Sequence, residues 1–142
     1  MVSLFYMLFV DKTNRTNFKI YSSDKTQCVT IITKSETRYI INGKHDFIPE
    51  TNFIKIDISD IDPIGDEIGV CWKKNKYEWE IVNHQAKVIE NRLDTTKFKF
   101  NTNWENDERG IPNCLKYHQT NCGTLGISGM KIYKNKGMIL EN

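Results

Sequence analysis

Three stretches of this chain carry residue types that do chemistry. Gly126-Ile127-Ser128-Gly129-Met130 approximates the GxSxG elbow, which holds a nucleophilic serine on a sharp strand-to-helix turn. It lacks the final glycine and the following helix, so it reads as a flexible loop. His45, His84 and His118 stand without an i, i+4 partner, so neither a metal-ligand pair nor a general base is visible, and they read as surface residues. No phosphate-binding loop or dinucleotide fingerprint occurs. The second stretch, Asp57 to Glu67, sets Asp57, Asp60, Asp62, Asp66 and Glu67 close together. Hard cations such as Ca²⁺ are held by clustered oxygens, which makes Asp60, Asp62 and Asp66 candidate ligands; the spacing is not that of an EF-hand, and a solvated acidic turn is the alternative. No other cofactor is implied. The third stretch, Trp72-Lys73-Lys74-Asn75-Lys76-Tyr77-Glu78-Trp79, interleaves cations with amphipathic rings. Such rings concentrate where one side is apolar and the other wet, and nearby lysines favour anionic surfaces.

The elements that position these residues are strands. In Phe53-Ile54-Lys55-Ile56-Asp57-Ile58-Ser59 the isoleucines share one face and Lys55, Asp57 and Ser59 the other, the period-2 signature of a half-buried strand. Similar patterns predict strands at Asn17–Ser22, Gln27–Thr33, Glu36–Ile41, Glu67–Lys73, Glu78–Val82, Ala86–Glu90 and Thr96–Asn101. Met1–Val10 is uncharged and apolar, but it has no basic flank before it and no small-x-small cleavage site after it. It reads as a buried first strand, and it is far short of the ~20 residues that span a bilayer. Ile41-Asn42-Gly43-Lys44 is a type I′ hairpin signal. A last hairpin is expected to turn at Lys134–Gly137, between Met130–Tyr133 and Met138–Leu140. The best short helical candidate, Trp104–Arg109, runs into Gly110 and Pro112 and stops. Trp72 alternates in phase with Ile68 and Val70, which favours the core; Tyr77 and Trp79 are divided between core and exposed edge.

With 142 residues and 39% hydrophobic composition, one domain with one core is the default. A formal charge of +2, with 20 basic residues scattered among 18 acidic ones, argues against a nucleic-acid partner. Cys28, Cys71, Cys114 and Cys122 are disulfide candidates with three pairings, and the absence of CxxC excludes a zinc ribbon. Asn14-Arg15-Thr16 is a glycosylation sequon, and with the even cysteine count it favours a secreted protein. No transmembrane segment is expected. The expected fold is all-β, an antiparallel β-sandwich of about eight strands with an extra C-terminal hairpin.

The order of motifs from Phe53-Ile54-Lys55-Ile56-Asp57 through Asp62-Pro63-Ile64-Gly65-Asp66-Glu67-Ile68-Gly69-Val70-Cys71-Trp72 to Gln85-Ala86-Lys87-Val88-Ile89-Glu90 and Lys97-Phe98-Lys99-Phe100 resembles the C-terminal PLAT-type (LH2-like) β-sandwich of pancreatic and lipoprotein lipases. The likeness covers residues 1–122; residues 123–142 would be an extension packed on the same domain. Where that family often has a cysteine after the Phe-x-Phe strand, this chain has Asn101-Thr102-Asn103. The resemblance implies a noncatalytic module, since the lipase triad resides on a separate domain, and a role in reaching lipid surfaces or partner proteins. Trp72 then matches the strand tryptophan, Tyr77 and Trp79 look like lipid-facing aromatics, and Lys73, Lys74 and Lys76 would meet headgroups. Two other readings compete: a secreted carbohydrate- or protein-binding sandwich with no lipid role, and an enzyme assembled from dispersed residues such as Glu80, His84 and Arg92.

Overall fold

The computed structural model describes residues 17–73, 76–102, 122–128, 131–134 and 138–141, with the backbone alone at 128 and 131–134. They form eleven strands: β1 Asn17–Ser22, β2 Cys28–Lys34, β3 Thr37–Asn42, β4 Phe53–Asp57, β5 Asp66–Trp72, β6 Trp79–Asn83, β7 Lys87–Asn91, β8 Phe98–Asn101, β9 Cys122–Ser128, β10 Lys131–Lys134 and β11 Met138–Glu141. The only other element is a 3₁₀ turn at Pro63–Gly65, where the Asp62 carboxylate accepts from the Ile64 amide and Pro63 stands at the first position.

The strands build two sheets, one in the order β11-β1-β2-β3-β4-β7 and one in the order β10-β9-β5-β6-β8. All pairings are antiparallel except β6 with β8. Alternation decides what faces inward. Phe18 and Ile20, Val29 and Ile31, Ile40, and Ile54 and Ile56 line the first sheet. Opposite them stand Ile68, Val70 and Trp72 on β5, Trp79 and Ile81 on β6, Phe98 on β8 and Leu125 on β9, all in one buried cluster. This is the all-β sandwich that the period-2 pattern predicts. Most of these residues are β-branched or aromatic, the types that fit a pleated, half-buried surface.

The outer face of the six-stranded sheet is also partly buried. Ile32, Ile41 and Phe53 cluster there with Tyr39 and with Ile48 from the loop over residues 43–52. The Tyr39 and Phe53 rings meet edge to face at 5.7 Å, and the Arg92 guanidinium lies 5.7 Å over Phe53.

Three sequence expectations are corrected. Asn42-Gly43 is not a two-residue hairpin: β3 ends at Asn42 and the next strand begins at Phe53. Gly43 does take positive φ (95°), which directs its N–H to the Cys28 carbonyl at 2.8 Å and starts the covering loop. The tight β2–β3 turn is at Ser35-Glu36 instead, with Ser35 at φ 56°. The C-terminal hairpin lies one strand earlier, between β9 and β10, because β10 stays in the five-stranded sheet while β11 crosses to pair with β1. Gly126-Ile127-Ser128, read as part of a flexible loop, is the end of β9, a strand paired on both sides. The strand expected at Met1–Val10, the sequon at Asn14 and the helical candidate Trp104–Arg109 lie outside the described residues, as does His118.

Three connections use the same device, an aspartate followed two residues later by serine or threonine. Asp24, Asp57 and Asp94 each accept the amide of residue i+2: Thr26 (3.0 Å), Ser59 (2.8 Å) and Thr96 (3.1 Å). These bonds hold the carboxylates below their ordinary range. The Thr26 and Ser22 hydroxyls bring Asp24 to about 2; the Ser59 amide lowers Asp57, and the Thr96 hydroxyl lowers Asp94. A depressed folded-state pKa contributes stability that is complete above the unfolded value near 3.8 and is lost as pH falls through the folded value. Thermal unfolding followed from about pH 5 to about pH 2 is therefore expected to show a falling midpoint. The variant Asp24→Asn/Asp57→Asn/Asp94→Asn should lose less over that range, and an unchanged acid slope would count against the assignment.

Candidate functional site

The end of the sandwich that carries the Trp72–Trp79 stretch is assembled from four loops. The β5–β6 hairpin is extended by the Lys73 N–H donating to the Glu78 carbonyl at 3.0 Å and by a Lys73–Glu78 ion pair of 3.0 Å. That pair lowers the Glu78 carboxyl below its usual range. The hairpin is tied to the turn before β2, where Gln27 Nε2 donates to the Lys73 carbonyl at 3.0 Å. The Trp79 indole N–H reaches across the sandwich to Asn42 Oδ1 at 3.1 Å, joining it to the start of the 43–52 loop. The 92–97 connection closes the group: Arg92 Nη1 donates to the Glu50 carbonyl at 2.9 Å, and the Trp79 amide to the Lys97 carbonyl at 3.2 Å.

One large ring, Tyr77, stands out from this end, whereas Phe47 is exposed on the loop over the outer face of the six-stranded sheet, between Asp46, which pairs with Lys19, and Ile48, which packs on the Ile32 cluster. Tyr77 is 72% exposed and Phe47 is 84% exposed. Lys44, Lys73, Lys76 and Lys97 are exposed on the same loops. Phe47 has no signal in the sequence, because a loop has no periodicity.

The two tryptophans proposed as interfacial are elsewhere. Trp72 is 3% and Trp79 2% exposed, both within the inter-sheet core, and the Trp79 ring packs 5.1 Å from Phe98. Trp79 shares the inner face of β6 with Ile81 and Asn83, so its phase places it inside. A lipid-facing role is thereby restricted to Lys73, Lys76 and Tyr77, while Lys74 lies outside the described residues.

The three candidate calcium ligands do not converge. Asp60 pairs with Lys87 at 2.6 Å, Asp62 caps the 3₁₀ turn, and Asp66 is buried against Arg38. Among the described residues no group of three or more His, Cys, Asp or Glu side chains is arranged to hold a metal. Glu80 and Arg92 do not approach a common centre either. Glu80 accepts from Asn101 in the five-stranded sheet at 3.0 Å, whereas Arg92 follows β7 in the other sheet and is engaged by Glu90. The His45 ring is half-buried against the Asn42 carbonyl at 3.1 Å.

Two structural devices hold the sandwich together, one at the far end and one beside this end. Arg38, in phase with Ile40 on the inner face of β3, donates from both terminal nitrogens to the Asp66 carboxylate of the opposite sheet at 2.9 and 2.7 Å. Its Nη1 also reaches Asn83 Oδ1 at 2.8 Å and its Nε reaches the Thr33 hydroxyl at 3.2 Å. Within the five-stranded sheet Cys71 and Cys122 stand directly opposite each other on β5 and β9 and form a disulfide, with Cα atoms 4.1 Å apart. Cys28 is a free thiol, which burial pushes above its usual pKa, and Cys114 lies outside the described residues.

The molecule thus belongs to the all-β sandwich class, with a disulfide and with no helix among the described residues long and apolar enough to cross a membrane. No family model, no curated protein and no solved structure matches the chain.

Proposed function

We propose that this chain is a noncatalytic binding module that meets lipid interfaces with the loop end bearing Tyr77, as the PLAT-type sandwich of a secreted lipase would. The supporting observation is the exposure of the Tyr77 ring, 72%, on a hairpin that is tied to the turn before β2 and carries exposed Lys73 and Lys76. The ring contributes about 1.5 kcal/mol or more on leaving water. Each lysine near an anionic surface adds about 1 kcal/mol, screened by salt.

Removing the ring should therefore lower partition onto vesicles by a factor on the order of 10. The measurement is co-sedimentation with phosphatidylserine-containing and neutral vesicles, comparing wild type with Tyr77→Ala. The substituted side chain is exposed, so the fold should survive. The wild type is expected to bind anionic vesicles better, with a salt-sensitive difference. Equal binding by both proteins, or none by the wild type, overturns the proposal; glycan binding by the wild type without vesicle binding would reassign the ring to stacking on sugars.

A further inference from the structure

On the outer face of the six-stranded sheet, between β1–β2 and the 43–52 loop, lies a groove of about 400 Å³ lined by Asn17, Lys19, Thr30, Ile32, His45 and Asp46. Strand alternation supplies one wall and the floor. Phe18 and Ile20 face the core, so Asn17 and Lys19 face out; Val29 and Ile31 do the same for Thr30 and Ile32. The loop supplies the other wall and is tied down along its length. Gly43 N–H donates to the Cys28 carbonyl at 2.8 Å, His45 N–H to the Thr30 hydroxyl at 3.0 Å, and the Glu50 carbonyl accepts from Arg92 at 2.9 Å. Phe47 stands out against this. Both of its neighbours are held on the sheet, Asp46 by Lys19 at 3.3 Å and Ile48 in the Ile32 cluster, yet the Phe47 ring is 84% exposed. A large ring kept in water on a tied loop is preorganised for a contact from outside the chain.

We infer that this groove binds a neutral saccharide, with the hydroxyls of one sugar unit bonded to Lys19, Asp46, Asn17 and His45 and the flat face of that unit or the next against Phe47. Charge and hydrogen-bonding capacity decide the class of ligand. Lys19 and Asp46 cancel each other, so the groove favours neither an anion nor a cation. What it offers is a mixture of donors and acceptors close together. Asn17 Oδ1 is used by the Thr33 amide at 3.1 Å, which leaves the Nδ2 donor; in a neutral His45 ring Nε2 donates to the Asn42 carbonyl at 3.1 Å, which leaves Nδ1 as acceptor. A sugar hydroxyl both donates and accepts, and vicinal hydroxyls match an adjacent ammonium and carboxylate. The positively polarised C–H groups on the face of a pyranose suit the electron-rich face of an aromatic ring. The groove's volume falls within the range of small-ligand sites, about 300–1,000 Å³. The site is separate from the Tyr77 hairpin and does not depend on the membrane reading.

The test screens the full chain on an array of neutral, sulfated and sialylated glycans, then titrates the strongest neutral oligosaccharide into ¹⁵N-labelled protein. Saturable shifts are expected in the amides of residues 17–19, 30–32 and 43–48. With the dispersion of the spectrum unchanged, affinity should fall at least about threefold in Phe47→Ala, the scale of a lost ring contact. In Lys19→Met/Asp46→Leu, which removes both partners of the pair and their bonds to the sugar, it should fall at least about tenfold. Binding confined to the charged glycans, no saturable shift, shifts centred on residues 76–78, or unchanged affinity in either variant overturns the site. Tyr77→Ala separates the two claims: it should leave saccharide binding intact while vesicle binding falls, so failure of either reading shows in its own assay.

Discussion

Arg38→Met is expected to lower the unfolding free energy by about 3–5 kcal/mol, a drop of roughly 10–15 °C in melting temperature for a chain of this length. The reason is the group it leaves behind. Asp66 is 7% exposed on the inner face of β5, and both of its oxygens are met by the guanidinium. Without Arg38, a carboxylate stays between the sheets with only Asn83 Nδ2 near it, at 3.5 Å. Removing one partner of a buried pair costs far more than removing both. Arg38→Met/Asp66→Leu should therefore regain most of the loss, and thermal unfolding of the two variants checks it. A single variant that melts within about 3 °C of wild type would show that water reaches Asp66 and that the pair is not a buried tie.

Cys71→Ala/Cys122→Ala is the second large effect. The bond joins β5 to β9 across 51 residues of chain, and closing a loop of that size removes about 4 kcal/mol of unfolded-state entropy in the chain-entropy account. Measured disulfides commonly give 2–4 kcal/mol, so the double variant should melt about 7–13 °C lower. A reductant acting on wild type should produce a similar shift, while Cys28→Ala, which removes a thiol outside the bond, should move the midpoint by much less. The bond has a particular task. Among the described residues β10 pairs with β9 alone, and β9 joins the five-stranded sheet through β5. Loss of the bond is therefore expected to raise amide exchange first in β9 and β10.

The strands were legible in the sequence wherever one face is polar. Ile54 and Ile56 between Lys55 and Asp57 show the face of β4 directly. In β3 the pattern is ambiguous, because Ile40 and Ile41 are both buried: one faces the core and the other lies under the 43–52 loop. That second layer hides the phase of Arg38, so its inward aim follows only when Asp66 is placed opposite. β9 is hard to read for another reason: Gly123, Gly126 and Ser128 dilute its β signal, and its place depends on long-range pairing with β5. Turn chemistry near Lys134–Gly137 is local, whereas the choice of β11 to join β1 is made by residues far away in the chain.

The candidate site was legible in part. The ring-and-lysine composition of the β5–β6 hairpin picks out Tyr77, but it does not separate Tyr77 from Trp79. The inward phase of Ile81 and Asn83 does. The aspartates failed as a metal cluster because each has a nearer use: a guanidinium, a lysine or a backbone amide.

The central claim is that one end of the sandwich is its working surface. The measurement that tests it most directly is paramagnetic mapping by NMR, with bicelles that carry phosphatidylserine and a headgroup-attached gadolinium lipid. Selective broadening is predicted for the amides of Lys73 and residues 76–78, with the turn at Ser35-Glu36 and the Pro63–Gly65 segment at the far end unaffected. Broadening centred on the far end, or spread evenly over both sheets, would contradict it.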